Sequence, residues 1–349
     1  MTSTAESAGA DAPLLEVRNL SKIYMPNRGI LHQLSRSGAP KLVAVDKVSL
    51  KIRRGEIFCL VGESGSGKTT LGRAVLRLVE PTSGEVLYKG ENLLNFSRAS
   101  MLEARREMQM IFQDPYSSLN PRMTVRQTLA EALSVHHVCP PATIPDRVIE
   151  LLELVGLAGN HADRYPGDFS GGQRQRVGIA RALSVNPAFI VADEPVSAVD
   201  VSVQAQIMNL LLDLRDRLEL TLLFIAHDLS VVQYISTNVG VMYLGRIVEV
   251  GPRRELFTRP RHPYTQGLLR AAPRPDPKRR TFSVAISGEP PSPLNPPPGC
   301  HFHTRCPIAT ERCKQEKPLL VSIGYGHEVA CHHHDVAATR WTTPAANPL

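Results

Sequence analysis

The stretch Gly62-Glu63-Ser64-Gly65-Ser66-Gly67-Lys68-Thr69 follows the pattern G-x-x-x-x-G-K-S/T. Those residue types at that spacing suit a chain of phosphates. Glycines let successive backbone N–H groups turn inward around an anion, and a helix starting at the loop adds the positive end of its dipole. Lys68 would set a point charge against the β- and γ-phosphates, and Thr69 would offer its hydroxyl to Mg2+. Ser64, Ser66 and Thr70 complete the polar lining of the expected nucleotide site. A phosphate loop needs an acidic partner for the metal, and Phe189-Ile190-Val191-Ala192-Asp193-Glu194 supplies one. Asp193 is expected to reach Mg2+, directly or through water, and Glu194 to polarise a water as general base. A chance Gly/Ser-rich loop or a solvated Asp-Glu turn would explain either motif alone. Each follows an apolar run of strand length, which is the setting the chemistry requires.

Those runs define the positioning elements. Residues 57–61, bounded by Gly55 and Gly62, read as a buried strand of a parallel sheet, as do residues 189–192 and 222–226. Helical patterns lie at 68–79, 147–155 and 201–218. Buried strands alternating with helices indicate an α/β fold. A short amphipathic strand is expected within residues 14–30, followed by a surface loop at 26–40. Residues 115–170 carry helical segments and no convincing buried strand, so they read as a helical insertion.

Further motifs occur in a fixed order. Phe169-Ser170-Gly171-Gly172-Gln173, with Arg174–Leu183 behind it, resembles the signature motif of ATP-binding cassette (ABC) ATPases, usually LSGGQ. By itself such a segment could be only a helix cap. Tyr24 matches the aromatic that stacks on adenine in that family. Gln113 matches the glutamine that senses Mg2+ and moves with the helical subdomain. Ser197-Ala198-Val199-Asp200 matches the D-loop, and His227 the switch histidine that contacts the γ-phosphate. Phe169 and Val199 stand where leucine is usual, and both remain apolar. The resemblance spans about residues 15–250. It implies a P-loop NTPase (RecA-like) ABC ATPase core over residues 1–113 and 173–250, and a helical signature subdomain over 114–172. It also implies ATP and Mg2+ as cofactors and a working site made by two cassettes, each signature motif (Ser170, Gly171, Gly172, Gln173, with Asp200 of the D-loop) facing the other's ATP.

Residues 251–349 form a small Pro/Cys-rich extension. They hold 16 of the 28 prolines and 4 of the 6 cysteines, so long helices and central strands are not expected there. Arg261-His262-Pro263-Tyr264-Thr265-Gln266-Gly267-Leu268-Leu269 is similar to the stretch behind the cassette of oligopeptide and dipeptide importer ATPases. Glu80–Gly84 and residues 113–121 look like the F-type subunit of that system. The resemblance implies a second, D-type ATPase as heterodimer partner, two membrane permease subunits and an extracytoplasmic solute-binding protein. It places the chain peripherally at the cytoplasmic face of the membrane. Cargo stays open among dipeptides, oligopeptides, nickel complexes and related solutes. Cys300, Cys306, Cys313 and Cys331 are spaced C-x5-C-x6-C-x17-C, without C-x2-C knuckles. Thiolates suit iron–sulfur clusters and zinc alike. Gly299–Pro307 is similar to the cysteine motif of peptide-importer ATPases, which implies a structural 4Fe–4S cluster on these four residues. Zinc and free thiols are the alternatives. Cys59 and Cys139 read as ordinary apolar residues, and His332-His333-His334 as solvated tail.

Composition excludes other classes. The chain of 349 residues carries a net charge of +7, but residues 1–250 balance 26 Lys+Arg against 26 Asp+Glu. The excess is confined to the extension, including Lys278-Arg279-Arg280, so a nucleic-acid groove on the core is not expected. A non-transport cassette acting on DNA or the ribosome would carry coiled coils, inserted zinc modules or tandem cassettes, none of which the sequence shows. No apolar run approaches the roughly 18 residues of a membrane span, and residues 1–13 do not read as a secretory leader.

Overall fold

The computed structural model describes residues 12–25, 41–197, 199–272, 286 and 288–341. The expected loop at 26–40 and the basic run Lys278-Arg279-Arg280 lie outside the described residues. In chain order the elements are β1 (Leu15–Tyr24), β2 (Leu42–Ile52), β3 (Ile57–Val61), α1 (Lys68–Val75), β4 (Ser83–Tyr88), β5 (Glu91–Asn92), α2 (Arg98–Glu107), β6 (Met108–Ile111), α3 (Pro115–Ser118), α4 (Val125–Val135), α5 (Ile144–Leu154), α6 (Gly171–Leu183), β7 (Phe189–Asp193), α7 (Val201–Leu218), β8 (Thr221–Ala226), α8 (Leu229–Ile235), β9 (Asn238–Tyr243), β10 (Arg246–Pro252), α9 (Arg253–Thr258), α10 (Pro263–Ala271), α11 (Glu311–Gln315), β11 (Val321–Ser322), β12 (Glu328–Val329) and α12 (His334–Thr339). Among the described residues, no helix is long and apolar enough to cross a membrane.

The described residues form two compact units. One takes those within 12–14, 52–57 and 92–225, and the other those within 15–51, 58–91 and 226–349. In the first, β6, β7 and β8 are parallel, with Ile111 opposite Ala192 and Asp193 opposite Ile225. Every residue of β7 and β8 is buried. Strands covered on both faces need continuous apolar runs, which is why these lack alternation. Helices fill the chain between β6 and β7. α4 opens on a capping box in which Thr124 Oγ1 accepts from Gln127 N at 3.2 Å and Gln127 Oε1 from Thr124 N at 2.8 Å. That pair satisfies two otherwise orphaned donors. Leu129, Leu133, Val148, Leu151 and Leu152 recur at helical spacing and are fully buried where α4, α5 and α6 pack. α7 buries Ile207, Met208, Leu211 and Leu214 on one face and stops at Glu219, whose φ is 52°.

In the second unit, β1 pairs antiparallel with β4 and lies between it and β2. β3 runs parallel to β9, with Leu60 opposite Gly240. β10 pairs antiparallel with β9, and the sheet continues through β12 to β11. The Pro-rich extension thus contributes two-residue strands at an edge. The helix expected at 68–79 ends four residues early. Arg77 adopts φ 50°, so its N–H reaches Ala74 O and the N–H of Leu78 reaches Arg73 O. This Schellman closure usually places glycine at the left-handed position. An arginine there gives no sequence signal.

Glu249 in β10 is fully buried. It accepts from Arg261 N at 2.6 Å, His262 N at 3.0 Å and His327 Nε2 at 2.8 Å. Those three bonds offset the desolvation of a carboxylate. They also bind the chain on either side of residues 273–287 to β10.

Candidate active site

The phosphate loop lies in the second unit, where β3 delivers it into α1. Gly62 and Gly67 are required by close approach: a Cβ at Gly62 would run into the carbonyl oxygen of Met242, and one at Gly67 into that of Ala44. Gly65, at φ 76°, faces open space. α1 starts behind Gly67 with no side-chain cap, so the positive end of the helix dipole faces the loop. Lys68 is buried, and its Nζ donates to Gly62 O at 2.7 Å and Glu63 O at 3.0 Å. The ammonium is therefore held back against its own loop, with Thr69 and Thr70 following in the helix. Tyr24 ends β1 and is 37% exposed, with Lys22 Nζ 4.9 Å from its ring centroid. His227 is exposed just after β8, in the same unit.

The acidic pair lies in the first unit. Asp193 closes β7 and is 1% exposed. Glu194 follows with φ 44°, a conformation that costs a non-glycine residue about 1–3 kcal/mol and is held by its surroundings. Its N–H donates to Ile225 O at 3.0 Å, and its carbonyl accepts from Ser197 N and Oγ at 3.2 and 3.0 Å. Gln113 Nε2 donates to Glu194 Oε2 at 3.2 Å. Two residues to which the motifs give separate roles are thus hydrogen-bonded.

Ser170 caps α6. Its Oγ accepts from Gln173 N at 3.3 Å, and Gln173 Oε1 accepts from Ser170 N at 3.0 Å. The helix-cap reading and the signature reading are therefore compatible. Phe169 is 3% exposed and packs edge-on against His161, so its apolar character is used. Ser170, Gly171 and Gly172 share a cleft of about 480 Å³ with Ser197, Val199, Asp200 and Val203. A Cβ at Gly172 would strike the Val203 side chain, so glycine lets α6 approach α7 there. The signature motif and the D-loop therefore line one cavity.

Residues 45–197 match the ABC transporter family model, and residues 248–313 the model for the oligopeptide/dipeptide transporter C-terminal region. An oligopeptide transport ATP-binding protein of Bacillus subtilis is 48% identical over 331 residues, covering 93% of this chain and 99% of that protein. The chain belongs to the ATP-binding proteins of ABC transporters. A probable peptide ABC transporter ATP-binding protein of Sinorhizobium fredii is 49% identical over 333 residues, 95% of this chain and 93% of that one. Among solved structures, a dimeric bacterial ABC transporter cassette superposes with a TM-score of 0.60 at 28% identity, covering 69% of this chain and 99% of that one. A dimeric post-hydrolysis cassette bound to ADP and Pi gives 0.59 at 27%, with the same coverage.

The part of this ABC protein behind the cassette reaches the phosphate loop. Arg305 grips Glu63 with both arms, Nη1 to Oε2 at 2.8 Å and Nη2 to Oε1 at 3.1 Å, and touches Tyr243 Oη at 3.4 Å. Burial alone would lower the Arg305 pKa, but its hydrogen bonds to Glu63 and Tyr243 raise it above the usual guanidinium range. Tyr264 Oη accepts from Glu63 N at 2.8 Å. The motifs that contain Glu63, Tyr264 and Arg305 do not disclose this contact, because 242 positions separate Arg305 from Glu63.

The four cysteines of the extension are within electrostatic range of one another. Burial first, then the neighbouring cysteines, push the Cys306 thiol up to about 11 and Cys331 up to about 12, and Cys300 is raised in the same way. Their printed contacts are local: Cys331 Sγ accepts from His333 N at 3.4 Å, and Cys313 Sγ lies 3.6 Å from Thr310 Oγ1. Among the described residues, no group of three or more His, Cys, Asp or Glu side chains is gathered to hold a metal ion. The iron–sulfur ligation expected at Cys300, Cys306, Cys313 and Cys331 is therefore not supported by their placement. Spacing brings the four to one segment without gathering their side chains into a ligand set.

Proposed function

We propose that the chain is the ATP-hydrolysing subunit of a membrane peptide importer. The observation that carries this reading is the phosphate loop: glycines pressed against neighbouring carbonyls, an uncapped helix start and a buried lysine folded over the loop backbone. Such an arrangement offers N–H groups and one cation to a triphosphate and little to any other ligand class. Gly62, Ser64, Gly65, Ser66, Gly67, Lys68, Thr69 and Thr70 bind the phosphates, and Tyr24 stacks on the base. Thr69, Asp193 and Gln113 would hold Mg2+, which would neutralise phosphate charge when bound. Glu194 accepts the proton of the attacking water, kept in line by its strained backbone and by Gln113. His227 contacts the γ-phosphate. Ser170, Gly171, Gly172, Gln173 and Asp200 serve the nucleotide on a partner cassette, so turnover requires a dimer.

The relatives' names, which specify peptide or oligopeptide transport, support the cargo, and the assembly is the one that the family resemblance implies. The chain works with a second, D-type ATPase, two permeases and a solute-binding protein, itself the F-type subunit at the cytoplasmic face. Import of nickel or another small solute by the same ATPase is the competing cargo. In this scheme residues 1–113 and 173–250 act as core, 114–172 as signature subdomain and 251–349 as extension. The cysteines enter as thiols of that extension, Cys313 buried and the other three half-buried. An iron–sulfur centre would require them to gather and ionise, which iron and acid-labile sulfide analysis of anaerobically purified protein measures directly.

The test uses the complex co-purified with its permeases, with ATP turnover and labelled-peptide uptake measured together. Glu194→Gln should lower hydrolysis by about 10²–10⁴-fold, the range of a general base, abolish uptake and leave ATP binding intact. Hydrolysis near the wild-type rate would overturn the base assignment. Coupled ATP turnover without peptide uptake would overturn the cargo.

A further inference from the structure

Glu63 is an acidic residue inside a loop built for polyphosphate. A carboxylate there repels the ligand unless it is neutralised. All three of its polar handles are engaged. Its N–H goes to Tyr264 Oη at 2.8 Å, its carbonyl accepts from Lys68 Nζ at 3.0 Å, and its carboxylate takes the bidentate grip of Arg305 at 2.8 and 3.1 Å. Two of those three partners come from the extension. Both are well buried: the Arg305 side chain is 6% exposed, and Tyr264 is fully covered. The Tyr264 ring packs at a tilt against Tyr243 and Phe302, with centroids 4.6 and 5.3 Å away, so its hydroxyl is held in a fixed place. A bidentate Arg–carboxylate pair adds direction as well as charge. Its partial burial removes it from the class of exposed pairs that contribute little.

We infer that Arg305, seconded by Tyr264, is a positioning residue of the nucleotide site: the C-terminal extension neutralises Glu63 and fixes the turn that anchors Lys68, and so sets the affinity for ATP. The inference rests on the reading of residues 62–70 as the ATP site. Arg305 acts through Glu63 and Lys68, not on the nucleotide. The extension becomes a working part of the nucleotide site, so an event that displaced the turn carrying Arg305 (His303–Arg305, next to Cys306) would be felt as weakened ATP binding.

The experiment measures ATP affinity by fluorescent-nucleotide titration, and the KM and kcat of hydrolysis, on the full chain in its complex. Variants are Arg305→Met, Arg305→Lys, Glu63→Gln and the double variant Glu63→Gln/Arg305→Met, with Lys68→Ala as control. Arg305→Met should weaken ATP binding about tenfold, equivalent to about 1.4 kcal/mol. The loss should appear in KM more than kcat and shrink as salt rises. The double variant should recover most of it, because no charge is left to neutralise. Arg305→Lys should fall between Arg305→Met and wild type. A merely structural arginine would lower thermal stability without rescue by Glu63→Gln. ATP affinity within twofold of wild type in Arg305→Met, or a deficit that Glu63→Gln leaves untouched, overturns the inference. If Arg305→Met does not fold, Arg305→Lys and its combination with Glu63→Gln decide by the same criteria. Retained ATP binding in Lys68→Ala would overturn the ATP-site reading itself. Loss there with no effect at Arg305 would overturn only the role of the extension.

Discussion

The phosphate loop and the signature segment are both glycine-rich turns that open helices, yet they are held by different means. Ser170–Gln173 is nearly self-sufficient: serine and glutamine three residues apart cap each other's backbone. The phosphate loop is held from outside. Met242 and Ala44 press on its glycines, and Tyr264 and Arg305 tether Glu63. A segment that grips a ligand with its backbone N–H groups has fewer of them left for self-support, so distant chain must supply the stiffness.

That contrast breaks most visibly at Gly62. Gly62→Ala should cost about 3 kcal/mol or more, because a Cβ meets a backbone carbonyl that cannot retreat. Thermal unfolding and ATP titration should both register it. Gly65→Ala, at a positive φ in open space, should cost only about 1 kcal/mol. Equal effects would show that the carbonyl contacts at Gly62 do not brace the loop.

The next largest effect concerns pH. His262 is 1% exposed, and burial pushes its pKa down to about 4, against a smaller upward pull from Glu249. Its Nδ1 accepts from Tyr264 N at 3.0 Å, so it caps the helix that carries the tether. A depressed histidine pKa means that the unfolded chain binds the proton first. The stability it confers is full above about pH 6.5 and is lost as pH falls towards 4, on the order of 1–3 kcal/mol. His262→Asn keeps a capping oxygen and should flatten that part of the pH–stability profile. A profile as steep as wild type would assign the acid sensitivity elsewhere.

The smallest effect is expected at Ser170. Ser170→Ala removes a local cap worth about 1 kcal/mol, read as faster amide exchange in the first turn of α6, with the phosphate loop unchanged. A loss of several kcal/mol would show that the signature segment also depends on remote support.

The same contrast explains what the sequence made legible. β7, β8 and α7 were readable because their patterns follow from covered faces and helical spacing within a single segment. The motif residues were readable because their chemistry demands fixed types at short spacing. The Gln113–Glu194 bond was not legible, since the motifs give each residue its own role and 81 positions lie between them. The end of α1 was missed because an arginine takes the position where glycine is usual. The hold of Arg305 on Glu63 was invisible, since nothing short-range marks a contact 242 residues apart. Resemblance of Gly299–Pro307 implied a cluster that the placed side chains do not form among the described residues, because a matching segment reports proximity along the chain and not ligand geometry.

The two-residue strands β11 and β12 have a consequence for the chain's solubility. β12 covers the open side of β10, pairing Glu249 with Val329 and Val250 with Glu328, while Ala330 N donates to Val248 O at 2.8 Å. The new rim, β11, is only two residues long and exposed, with Pro318 shortly before it and Gly324 shortly after. A short, interrupted rim is a poor template for another chain's strand. A chain ending before Glu328 would present β10, with Ile247, Val248 and Val250, as an open apolar edge. Its expected fate is self-association through that edge rather than a soluble cassette lacking its tail.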